Sequence, residues 1–343
     1  MKINKTTIAY IAAIVIFTSA INFALFYNYN KRQEAKQKNY IPPSSNSQSL
    51  SCNLQVNRLT GFKYISPLLF SEPTCPSTSF DGIKFQLSDL IQNFKKTGAI
   101  SSASVYLRTF NNAQWMSINQ SETFNPGSLI KVPFLIANLL MEQKKPGYLN
   151  TKLTFIPNKD IPLQTYNSHQ IHPGNSYTVK ELLKYMIAYS DNNATYLINN
   201  NTDLDIFRKI YLDLGLPNVD PHDPNYQITA KDYSQFLKVI YNASYLDTPS
   251  SQFAAGLLSQ SDFTDGLAKN LPPDITIAHK FGEFARPGNP EHQLSESGII
   301  YLNNSPYLIT VMTKGNDVKS LANAISQISK KVFDSINQQQ ASL

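Results

Sequence analysis

The sequence predicts an α+β fold in which one antiparallel sheet draws strands from both ends of the globular region, with a large helical stretch inserted between them. Strand-like runs occur early, at Ser102 to Phe110 and Gln114 to Asn119, and return late, at Ile275 to Phe281, Gly298 to Leu302 and Tyr307 to Thr313. Between them, from about Gly127 to Leu258, the pattern is mainly helical. A last amphipathic segment, Val318 to Ile336, carries Leu321, Ala324, Ile325, Ile328, Val332 and Ile336 on one face. With 343 residues, 42% of them apolar, the chain can bury a substantial core.

The first element is an appendage. Ile8 to Tyr27 is an uncharged run of the length of a membrane-spanning helix, interrupted by Thr18, Ser19 and Asn22. Lysines precede it (Lys2, Lys5) and basic residues follow (Lys31, Arg32, Lys36, Lys38), so charge does not fix its orientation. Residues 1–30 read as an uncleaved anchor because the apolar run continues past Ala20; a signal peptide cleaved near Thr18-Ser19-Ala20 is the rival. Either implies export to the cell envelope, with membrane association if the anchor is kept. Residues 31–50 are polar and hold Pro42-Pro43-Ser44-Ser45, a flexible spacer. Residues 51–80 form a proline-punctuated cap containing the only cysteines, Cys52 and Cys75. In an exported chain these read as a disulfide, with two free structural thiols as the alternative. Residues 81–343 form the main domain.

Within that domain a helix is expected over about Ile83 to Lys96, followed by a hairpin that turns at Asn111-Asn112. Further helices are expected at Val179 to Tyr189, Ala194 to Asn200, Leu204 to Leu214 and Ala230 to Tyr241. The formal charge of +6 is spread along the chain, which gives no nucleic-acid footprint. His169 and His172 lack cysteine or acidic neighbours, so neither a metal nor any other cofactor is implied.

Three short patterns carry chemistry. In Pro126-Gly127-Ser128-Leu129-Ile130-Lys131, a serine and a lysine three apart share one face at the head of a helix. A buried lysine with a lowered pKa can take the serine's proton, and a helix start offers free N–H groups to an oxyanion. In Tyr189-Ser190-Asp191-Asn192, Ser190 can relay a proton and Asn192 can both donate and accept, although these residue types are also ordinary helix caps. In His279-Lys280-Phe281-Gly282, a lysine beside a glycine on a strand can anchor an anion; a surface lysine on an edge strand is the plain alternative.

Taken in this order, the patterns resemble those of the penicillin-recognising serine hydrolases, most closely the class A β-lactamases, over roughly Asp81 to Phe333. The resemblance implies a three-layer α/β/α sandwich with about five antiparallel strands. It implies an acyl-enzyme on Ser128, formed from a β-lactam or a D-Ala-D-Ala-type peptidoglycan amide, with Lys131 as base. Ser190 and Lys280 would carry the proton to the leaving nitrogen, and Lys280 would attract the substrate carboxylate. Asn192 and Gly282 would border the substrate, and the backbone N–H groups of Ser128 and Glu283 would hold the oxyanion.

Two departures qualify this expectation. Phe281 stands where the family usually has a hydroxyl residue, which leaves carboxylate recognition to groups such as His279 or Ser297. The family's loop glutamate, which activates the deacylating water, has no counterpart: no glutamate occurs from Asp191 to Gly282. The loop Pro217 to Pro224 offers only Asp220, Asp223 and His222. Acylation is therefore expected, and the readings of its fate are a β-lactamase, a penicillin-sensitive D,D-carboxypeptidase with slow deacylation, or a non-catalytic cell-wall-binding protein.

Overall fold

The computed structural model describes residues 52–341, apart from 160, 163–165, 167, 218, 222, 287 and 304. The apolar run at Ile8–Tyr27, the spacer and His222 lie outside the described residues. No helix among the described residues is long and apolar enough to cross a membrane.

A hairpin of β1 (Leu54–Arg58) and β2 (Leu68–Pro73) comes first, followed by helix α1 (Asp81–Lys96), β3 (Ser102–Thr109) and β4 (Trp115–Ile118). The short β5 (Thr123–Phe124) leads into a 3-10 turn, Gly127–Ile130, and helix α2 (Lys131–Lys144). The insertion continues with β6 (Lys152–Thr154), β7 (Ser176–Thr178), α3 (Val179–Ala188), α4 (Asn192–Asn201), α5 (Leu204–Asp213), β8 (Ile228–Thr229), α6 (Ala230–Tyr241) and α7 (Thr248–Leu258). The chain ends with β9 (Ile277–Ala285), β10 (His292–Ile300), β11 (Tyr307–Gly315) and α8 (Val318–Ala341).

The main sheet has the order β4-β3-β11-β10-β9, antiparallel throughout, so the first and last strands of the domain meet at β3 and β11 as expected. Side-chain alternation on these strands divides the core. Val105, Leu107, Ile309 and Val311 face one side and pack with Ile83, Leu87 and Ile91 of α1 and Leu321, Ile325 and Ile328 of α8. Tyr106, Leu308 and Met312 face the other side and pack with the insertion helices through Phe134, Leu183, Phe207 and Phe236. Helix, sheet, helix is the resulting layering. The three late strands run longer than the sequence pattern suggested, because Lys280, Ser295, Glu296 and Ser297 interrupt the apolar alternation yet are fully buried.

The cap is tied to this domain by charge as well as by packing. Cys52 and Cys75 form a disulfide with Cα atoms 5.4 Å apart. Glu72 on β2 is buried against Arg108 (2.9 Å), Lys231 (3.6 Å) and Lys238, and it accepts from the Tyr106 hydroxyl at 3.1 Å. Burial alone would raise the Glu72 pKa, but Lys238, Arg108 and Lys231 together hold it below the ordinary value. Trp115 Nε1 donates to Pro73 O at 2.7 Å and completes the seam.

Candidate active site

The turn that carries Ser128 can press against β9 because both surfaces are glycine. Gly127 adopts φ +50°, and a Cβ there would lie 2.3 Å from Glu283 O. A Cβ on Gly282 would lie 2.2 Å from Pro126 O, 2.7 Å from Leu129 N and 3.0 Å from Ser128 N. Backbone therefore meets backbone, which brings Ser128 and Glu283 to one wall of the same cavity. Asn125 fixes the turn further: its side-chain oxygen accepts from Gly127 N (2.9 Å), and its amide donates to Pro224 O (3.0 Å). Tyr233 reaches Leu129 O from α6 at 2.9 Å. Helix α2 then starts at Lys131, one turn later than the sequence suggested, with Pro133 in its first turn.

Lys131 is fully buried at the head of α2 and points at the α3–α4 junction. Its Nζ donates to Ser190 O (2.6 Å), Ser190 Oγ (3.1 Å) and Asn192 Oδ1 (2.9 Å). Burial lowers its pKa to about 7, against a smaller opposing pull from Asp191. Ser190 sits at φ +56°, an uncommon conformation for serine that exposes both its carbonyl and its hydroxyl to the amine. The pattern of Ser190 to Asn192 thus divides by residue. Asp191 is the structural member: it caps α4 through Asn193 N and accepts from Ile171 N, both at 2.9 Å. Ser190 and Asn192 are the members that reach the site.

Lys280 arrives from β9 on the sheet face opposite to His279 and Phe281. Its Nζ donates to the same Ser190 Oγ at 2.9 Å and to Phe281 O at 3.0 Å, and lies 4.1 Å from the Phe281 ring centre. Burial, followed by the neighbouring Lys131 charge, pushes its pKa well down. Two lysines therefore converge on one hydroxyl. The surrounding cavity, about 790 Å³, is lined by Ser128, Lys131, Ser190, Asn192, Phe281 and Glu283.

Several expected contributors lie elsewhere. Ser297 is opposite Lys280 in the sheet register, but it is fully buried and pairs its hydroxyl with Thr310 Oγ1 at 2.7 Å; it does not reach the cavity. His279 turns to the other face and meets Glu296 at 2.6 Å. Asp220 and Asp223 are exposed and outside the cavity lining, because the short loop turns Pro221 inward instead. Asp223 closes that turn by accepting from Asn225 N at 2.8 Å.

Tyr166, Tyr196 and Pro162 also line the cavity, which the sequence does not announce. Tyr166 packs edge-on against Phe281 and Phe263, so the aromatic in the third pattern has an aromatic socket. Three aromatics spread over more than a hundred residues give no local signal. The Glu283 side chain is a further such group, since the resemblance gives a role only to its backbone N–H. It is the one carboxylate among the described lining residues, 3.8 Å from His292 Nδ1.

Solved structures share this architecture at low identity. The chain is similar to PBP-A (21% identity, TM-score 0.59, 74% of this chain and 97% of that one). It is similar to a beta-lactamase from Chitinophaga pinensis (20%, TM-score 0.62, 73% and 99%) and to the TLA-3 extended-spectrum beta-lactamase (20%, TM-score 0.63, 73% and 98%). No curated protein matches it by sequence. The model of the beta-lactamase enzyme family matches residues 84–336, which include the glycine-lined turn, both lysines and every strand of the main sheet. By that match and by its fold, the chain belongs to the beta-lactamase enzyme family of penicillin-recognising serine hydrolases.

Proposed function

We propose that this protein is an exported serine hydrolase that forms an acyl-enzyme on Ser128 with β-lactam or D-Ala-D-Ala-type amides and releases the acyl group slowly. The observation that carries the reading is the Lys131–Ser190–Lys280 bridge, with both amine–hydroxyl contacts at 3.1 Å or less. Neutral Lys131 takes the Ser128 proton as Oγ attacks the carbonyl carbon. The N–H groups of Ser128 and Glu283 hold the oxyanion. As the C–N bond breaks, the proton passes from Lys131 through Ser190 to the leaving nitrogen, and an ester on Ser128 remains. A water must then split that ester. No carboxylate of the described 219–227 loop residues lines the cavity to activate it, which supports slow release. The disulfide and the apolar N-terminal run support export.

Stopped-flow mixing with a chromogenic cephalosporin tests this. A stoichiometric burst followed by slow turnover is expected. Neither burst nor turnover, in a folded protein, would overturn the reading. A second reading, sustained β-lactam hydrolysis, is favoured by the Glu283 carboxylate in the cavity. Multiple rapid turnovers that disappear in Glu283→Gln would establish it.

A further inference from the structure

Among the described residues nine large apolar side chains are exposed, and six of them (Leu54, Val56, Phe62, Tyr64, Ile65 and Leu68) belong to the cap hairpin and its tip. The other three sit singly, on α1, on α5 and in the loop after β6, as scattered surface apolar residues commonly do. Tyr64 is 84% exposed, Ile65 62% and Phe62 54%. Fraying does not explain this. The inner side of the hairpin is fixed by the disulfide, by buried Leu69 and Phe70 and by the Glu72 ion cluster. Leu59 N donates to Pro67 O (2.9 Å) and Arg58 Nη1 to Ser66 O (2.6 Å), closing the base of the tip. A well-fastened element thus holds an apolar face outward.

The charge on the outer side of the hairpin and at its tip has one sign, since Glu72 is buried on the inner side. Between Cys52 and Phe70 the only charged residues are Arg58 and Lys63, and the Lys63 amine lies 4.9 Å from the Tyr64 ring centre. Aromatic and aliphatic side chains with basic neighbours are the composition that seats at a lipid–water interface. The sequence outside the described residues argues for the same occupant, because Ile8–Tyr27 is uncharged and of membrane-spanning length. The apolar run ends at Tyr27, and whatever their conformation, residues 28–51 cannot span more than about 80 Å before the hairpin begins.

We propose that the outer face of the cap hairpin docks on a lipid bilayer, with Phe62, Tyr64 and Ile65 in the interfacial zone and Arg58 and Lys63 against anionic headgroups. This surface is independent of the catalytic reading. Docking would fix which way the domain faces relative to the membrane, beyond what a tether alone imposes.

The test uses the full-length chain in vesicles of phosphatidylcholine and phosphatidylglycerol containing brominated acyl chains, which quench nearby tryptophan. The native Trp115 is 1% exposed and serves as internal reference. Tyr64→Trp, and Ile65→Trp as a second variant at the tip, should lose most of their added emission. Leu212→Trp, on an exposed site of α5, should keep it. Equal quenching at tip and control, or none at the tip, overturns the proposal. So does a covalent dimer on cross-linking at position 64, which would assign the face to a second copy.

Discussion

The Lys131 amine and the Ser190 hydroxyl lie 3.1 Å apart, although 59 residues separate them in the chain. As an ammonium, Lys131 spends all three donors on Ser190 O, Ser190 Oγ and Asn192 Oδ1. Once deprotonated it has a lone pair free to act as base. Since its pKa is lowered to about 7, acylation of Ser128 should rise with pH up to about 7 and level off above it. The acylation rate constant against pH checks this. Lys131→Arg, which stays protonated, should lose about a thousandfold in rate and the pH step with it.

The glycine contact between the Ser128 turn and β9 has no slack. Gly282→Ala forces a methyl to within 2.2 Å of Pro126 O, so backbone must move. The variant should lose about 2 kcal/mol of stability by urea unfolding and about a hundredfold in acylation rate.

Glu72 neutralises a buried cluster of cations. Glu72→Gln should cost about 3–5 kcal/mol, since Lys238 and Arg108 would be left buried without a counter-charge. The folded-state pKa of Glu72 is depressed, so its contribution is present above the unfolded carboxylate pKa and is lost as pH falls through the folded value. Urea titrations across the acid range should therefore show wild-type stability falling more steeply than that of the variant.

Pro221 is the loop residue that faces the cavity. Pro221→Glu should supply the missing carboxylate and speed deacylation by about tenfold or more. Following the loss of a pre-formed penicilloyl ester checks this; an unchanged lifetime would mean that the loop does not border the attacking water.

The sheet, the insertion and the three chemical patterns were legible in the sequence because each rests on local spacing: alternation in β3 and β11, helical periodicity in α6 and α8, and a serine and a lysine three apart. Less legible were features made by distant segments. Nothing near Ser297 announces that Thr310 will take its hydroxyl, and nothing near Glu72 announces four partners on two other elements. The aspartates of the 217–224 loop looked available because sequence does not show which residue a short turn points inward. Ser190 to Asn192 offered a cap or a group for the site, and the fold divides them: Asp191 caps α4, while Ser190 and Asn192 accept from the Lys131 amine.

The central claim is that Ser128 is the residue acylated. Incubating the folded protein with benzylpenicillin and mapping the adduct by peptide mass spectrometry tests it most directly. The account predicts one penicilloyl group on the peptide containing Ser128, absent in Ser128→Ala. An adduct at another residue, or none on a folded wild-type protein at saturating penicillin, would contradict it.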